Sequence, residues 1–160
     1  MKYFRSLLFA PAVRPEMFSK LPSRGADAVI IDLEDAVPVA RKAEARAIVA
    51  AEAPGLVALG CRVLVRVNAA DSSWMADDVA TGLVAGLTAV VVPKIETMVG
   101  VEAATDALDA AGHHDLGIVA GIETALGVAD ARLEQVAEEG GLKGKIAEAA
   151  HHLVDKLDND

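Results

Sequence analysis

Five short aliphatic runs recur along the chain, each followed by a stretch with helical spacing. The runs are Leu7–Phe9, closed by Pro11; Ala28–Leu33; Val63–Val67; Ala89–Val92, closed by Pro93; and Leu116–Ile122. They are continuous rather than alternating, as expected of strands buried on both faces. Helices are predicted over Pro38–Glu52, Trp74–Ala85, Thr97–Ala111 and Thr124–Glu139. The first carries Ala43, Ala47 and Ala51 on one side, with Pro38 suited to its first turn. Strands that alternate with helices predict βα units and a parallel sheet.

After the Gly140-Gly141 break the pattern changes. Leu142, Ile146, Ala149, Leu153 and Leu157 recur at spacings of three and four, which predicts one amphipathic helix before a polar tail. The expected organisation is an α/β region over 1–139 and a helix with an acidic tail over 140–160.

Polar residues gather where the strands end: Asp32, Glu34 and Asp35 after the second run, Arg66 and Asn68 at the third, Lys94 and Glu96 after the fourth, Glu123 after the fifth. In parallel α/β folds the carboxyl ends of the strands converge on one face. These groups, distant in sequence, are therefore expected to meet. Arg66 lies in an otherwise apolar strand and needs an acidic partner, for which the second-strand acids are the obvious source. Asp32, Glu34 and Asp35 have a plainer alternative as acids at a helix N-terminus, and so does Glu123. Lys94 and Glu96 read as a solvated pair at a junction. A Schiff-base role for Lys94 lacks the desolvation that would lower a lysine pKa.

Composition narrows the functions. The formal net charge of −9 and the absence of a basic run oppose nucleic-acid binding. No apolar stretch has the length of a membrane span or a signal segment. The simplest location is the cytoplasm. The single cysteine, Cys61, permits no intrachain disulfide and reads as a small, partly buried side chain. His113-His114 and His151-His152 are expected to be surface pairs, because adjacent residues on a helix diverge by about 100°.

The motifs, taken in order, resemble the HpcH/HpaI aldolase and citrate lyase β-subunit family. They are Arg5-Ser6-Leu7-Leu8-Phe9-Ala10-Pro11 with Arg14-Pro15-Glu16; Gly25-Ala26-Asp27-Ala28; Asp32-Leu33-Glu34-Asp35-Ala36-Val37; Arg66-Val67-Asn68; Pro93-Lys94-Ile95-Glu96; and Ile122-Glu123-Thr124-Ala125 with Gly127-Val128. The resemblance implies a TIM-type (β/α)8 barrel, here truncated to about five βα units plus a C-terminal amphipathic helix, since a full barrel takes about 250 residues. It implies Mg²⁺-dependent carbon–carbon lyase chemistry on a carboxylate-bearing acyl-CoA or 2-oxo acid. By the same resemblance Arg66 is the carboxylate-binding arginine, Glu123 a direct metal ligand, and Glu34 and Asp35 the acids that hold metal-bound waters. Retro-aldol cleavage leaves an enolate, whose charge a divalent ion and an arginine would offset.

The family's second metal ligand, an aspartate in a Gly-x-x-Asp-Leu-like segment, falls by resemblance on Glu148-Ala149-Ala150-His151-His152, where no such motif stands. Asp155 is the nearest acid of that type. Two expectations follow: an active lyase whose missing parts come from another subunit, or an inactive relative acting as a binding or assembly module or persisting as a gene fragment. Either leaves exposed sheet edges, which predicts a homo-oligomer or a complementing subunit.

Overall fold

The computed structural model describes residues 4–129. Five parallel strands form one sheet in the order β1 (Leu7–Pro11), β2 (Ala28–Asp32), β3 (Val63–Arg66), β4 (Ala89–Val92) and β5 (Gly117–Ala120). The spatial order follows the sequence order and never reverses. A doubly wound sheet reverses at a switch point; a barrel does not.

Alternation along the strands sorts the core into two layers. Val29, Ile31, Val63, Val65, Val90, Val92 and Ile118 pack with residues of helices α1 (Lys42–Ala58) and α3 (Met98–Ala110). Ala28, Ile30, Leu64, Ala89 and Val91 form a second, smaller cluster, which Phe4 and Val119 join. One sheet face thus carries the helices and the other a small aliphatic layer, as in a segment of barrel wall. Leu7 and Phe9, at alternate positions of β1, remain 41% and 47% exposed.

The predicted strands all form, with small shifts at their ends. The helices differ more. Helix α1 begins at Lys42, after an extended Pro38 and a 3₁₀ turn at Val39–Arg41, and runs through Pro54 to Ala58. Its buried side is Lys42, Ala45, Arg46, Val49, Ala53 and Leu56, and the side that carries Ala43, Ala47 and Ala51 is exposed. Alanine has little area to bury, and the larger Val49 and Leu56 set the inner face. The helix expected over Trp74–Ala85 is a single turn, α2 (Met75–Asp77), widened into a π-helical turn at Asp78–Gly82. Helix α4 (Ala125–Ala129) follows the Glu123-Thr124 junction. Its expected continuation to Glu139 and the helix expected over 140–160 lie outside the described residues.

Candidate active site at the strand ends

Register builds the centre of the site. β2 and β3 pair so that Asp32 stands beside Arg66. Both lie two positions beyond members of the smaller core layer, Ile30 and Leu64, and so share that face. The Arg66 guanidinium meets the buried Asp32 carboxylate as a fork, Nε to Oδ1 and Nη2 to Oδ2, each 2.8 Å. Asp32 also accepts the N–H groups of Glu34 and Ala36 at 2.9 and 3.1 Å, closing the turn after β2. Burial alone pushes the Asp32 carboxyl up, but the Arg66 fork and these N–H groups outweigh it and hold it below the ordinary carboxylate range. The Arg66 pKa is raised, chiefly by the same hydrogen bonds. The Phe9 ring lies 5.2 Å from the guanidinium carbon, a cation–π contact on the same face.

Glu34 is 5% exposed and meets two cations. Its Oε1 accepts Lys94 Nζ at 2.6 Å, and its Oε2 lies 3.2 Å from Arg66 Nη1. That Oε2 has no aligned hydrogen bond among the described residues. Asp35 is more exposed and faces Lys94 Nζ at 3.5 Å. Glu123 follows β5, the last strand in the sheet order, and its Oε1 accepts the Lys94 backbone N–H at 3.0 Å. Lys94 therefore links two acids from separate strands, one through its side chain and one through its backbone. Its φ of 55° is the only positive value at a non-glycine residue among the described residues. Such a conformation costs roughly 1–2 kcal/mol.

Beneath this rim lies a buried polar layer. Lys42 Nζ, on α1, donates to the carbonyls of Leu33 and Glu34, both at 2.7 Å, and to Asn68 Oδ1 at 2.6 Å. Asn68 donates through its backbone and its side chain to the fully buried Asp78, which also accepts from Arg46 Nη1 at 3.1 Å. Burial pulls the Lys42 pKa down against the pull of the surrounding carboxylates. This layer fixes the carbonyls on either side of the Glu34 Cα, and so the origin of the Glu34 side chain.

Arg66, Glu34, Asp35 and Glu123 thus stand at one end of the sheet, with Asp32 as the arginine's main partner. The expected Lys94–Glu96 pair does not form: Lys94 turns to Glu34 instead. The alternative reading of Asp32, Glu34 and Asp35 as helix caps finds no support at α1, whose N-cap is Arg41 and carries no side-chain cap hydrogen bond. Lys42 and Arg46 escaped sequence reading because lysine and arginine in a helix ordinarily face solvent. His114 forms a local contact with Asp109 at 2.9 Å.

The donor chemistry suits a hard cation. All the acidic groups offer oxygen, and Glu34 Oε2 is a buried acceptor without a hydrogen bond among the described residues. Among the described residues no three His, Cys, Asp or Glu side chains cluster closely enough to enclose a metal. Mg²⁺ needs only one or two direct carboxylates and retains waters, so Glu123 with the outer acids fits part of such a shell. A second direct ligand would come from outside the described residues, where Asp155 and the Glu148–His152 stretch lie. Among the described residues, no helix is long and apolar enough to cross a membrane.

Comparison with known proteins follows the same geometry. A citrate lyase subunit beta-like protein of Deinococcus radiodurans is 44% identical over 133 residues, 80% of this chain and 46% of that protein. A (3S)-malyl-CoA thioesterase of Cereibacter sphaeroides is 34% identical, over 80% of this chain and 43% of that protein. The citrate lyase beta subunit of M. tuberculosis, solved with oxaloacetate and magnesium, superposes with a TM-score of 0.59 at 33% identity, covering 77% of this chain and 49% of that one. The chain spans about half the length of the curated relatives it matches. The HpcH/HpaI aldolase/citrate lyase profile matches residues 5–146, and with the ordered parallel sheet and its acid–arginine rim it places this chain in the HpcH/HpaI aldolase/citrate lyase family.

Proposed function

We propose that this chain carries part of the active site of a Mg²⁺-dependent carbon–carbon lyase. Its substrate is a carboxylate-bearing acyl-CoA or 2-oxo acid. The observation that carries the reading is the Arg66 fork on Asp32. Of five guanidinium N–H donors, the fork occupies Nε and one on Nη2, and Glu34 faces Nη1. One N–H on each terminal nitrogen is left for a ligand carboxylate, which arginine binds in bidentate fashion. Asp32 holds the guanidinium plane, and Phe9 packs against it, so Arg66 is oriented before substrate arrives.

Glu123 would hold the cation directly, with Glu34 and Asp35 positioning its waters. When bound, Mg²⁺ supplies positive charge where negative charge develops as the carbon–carbon bond breaks. The relatives support this choice of ion, one having been solved with magnesium and oxaloacetate. The test is Mg²⁺ titration by calorimetry of the wild type against Glu123→Gln, followed by an assay for Mg²⁺-dependent release of acetyl-CoA or pyruvate. Binding that depends on Glu123 is expected. Equal, negligible heats would remove the metal site from the reading.

A second reading, an assembly module, is favoured by exposed Leu7 and Phe9 on the sheet face that carries no helices. It predicts self-association or pairing with a complementing subunit. A compact monomer at all concentrations in sedimentation velocity contradicts it.

A further inference from the structure

Lys94 carries more than a surface ion pair would. Its ammonium sits 2.6 Å from Glu34 Oε1 and 3.5 Å from Asp35 Oδ1, the two acids given to metal-bound water above. Its own N–H holds Glu123 Oε1, the direct ligand in the same reading. The side chain is 47% exposed, so solvent lies within reach of its stem. The backbone conformation favours glycine or asparagine, neither of which could place a cation on Glu34. We propose that Lys94 is a built-in counter-ion, occupying the cation's electrostatic position between Glu34 and Asp35 and swinging out to solvent when a divalent ion enters. The proposal rests on the metal reading of the previous subsection and adds to it a residue that sets cation affinity.

Two features make the exchange feasible. A half-exposed lysine pair is weak because water screens it. A doubly charged ion near the same carboxylates gains more than a single ammonium does. Arg66 cannot play this part, because Asp32 holds it in a nearly buried fork. Lys42 cannot either, since its three hydrogen bonds go to two carbonyls and an amide beneath the rim.

The experiment uses the full chain and Mg²⁺ alone, with Mn²⁺ as a second probe, read by calorimetry. Lys94→Met removes the charge and keeps the length; Lys94→Arg keeps the charge. Lys94→Met is expected to bind the cation about tenfold tighter than wild type, while Lys94→Arg stays near wild type. Unaltered protein supplies a second readout that does not depend on how the variants fold. Acetylation of Lys94 by acetic anhydride, followed by mass spectrometry, should rise when Mg²⁺ is added, and should not rise in Glu123→Gln. If Lys94→Met binds no tighter while Glu123→Gln abolishes binding, the counter-ion proposal is overturned and the metal reading stands. If no variant takes up either ion and the labelling is indifferent to Mg²⁺, both fall.

Discussion

Replacing Lys42 by methionine removes the centre of the buried layer and keeps most of the side-chain volume. Three acceptors lose a donor: the carbonyls of Leu33 and Glu34, and Asn68 Oδ1. The Leu33 carbonyl retains a bond from Asn68 Nδ2 at 3.2 Å and the Glu34 carbonyl one from the Val37 N–H at 3.0 Å, so Asn68 Oδ1 alone is orphaned. Each orphaned buried acceptor costs about 1–3 kcal/mol. The variant regains the desolvation cost of a buried ammonium, the same cost that lowers the Lys42 pKa. The net loss should be about 1–2 kcal/mol, a sizeable share of the roughly 5–15 kcal/mol that holds a domain together. With a urea slope of about 2 kcal/mol per molar, the midpoint should fall by about 0.5–1 M. Chemical denaturation followed by circular dichroism measures it, with Lys20→Met, an exposed lysine, as the control. Lys42→Met and Asn68→Ala should also be less than additive, because they share one network. A Lys42→Met midpoint equal to that of wild type would refute the claim that this layer carries the turn after β2.

The Asp32–Arg66 fork should behave as a buried pair. Arg66→Met should cost about 3 kcal/mol, and Arg66→Lys should recover only part of it because a lysine cannot fill the fork; urea midpoints for the two variants decide this. The Asp32 carboxyl has a lower pKa folded than unfolded, so its contribution is complete above about pH 4 and is lost as pH falls through the folded value. Stability measured from pH 5 downward should therefore decline more steeply in wild type than in Asp32→Asn, and parallel curves would contradict the assignment. Gly127→Ala would set a Cβ 2.5 Å from the Ile95 carbonyl oxygen, against rigid backbone. It should cost about 1–3 kcal/mol as α4 shifts, and should weaken any Mg²⁺ heat by displacing neighbouring Glu123; an unchanged melting temperature would count against that close approach.

The five strands were legible because continuous aliphatic runs bounded by Pro or polar residues have few other stable homes. The gathering of acids with Arg66 at one end was legible too, since parallel strands all point their carboxyl ends the same way. That a strand arginine needs an acid could be read from Arg66 alone. Which acid it takes could not, because only the register of β2 against β3 sets Asp32 beside it. The direction of α1 was hidden for a different reason. Alanine spacing marked one side without saying which side is buried; burial follows the larger Val49 and Leu56, and this turns Lys42 and Arg46 inward. Lys94 was beyond sequence reading altogether. Its neighbour Glu96 offered a local partner, whereas a left-handed backbone and the parallel packing of β2 beside β3 and β3 beside β4 bring its ammonium to Glu34, sixty positions away in the chain. Local pattern determined the elements and their order; tertiary packing decided which charges meet, because long-range contacts depend on register and helix rotation that no short window of sequence contains.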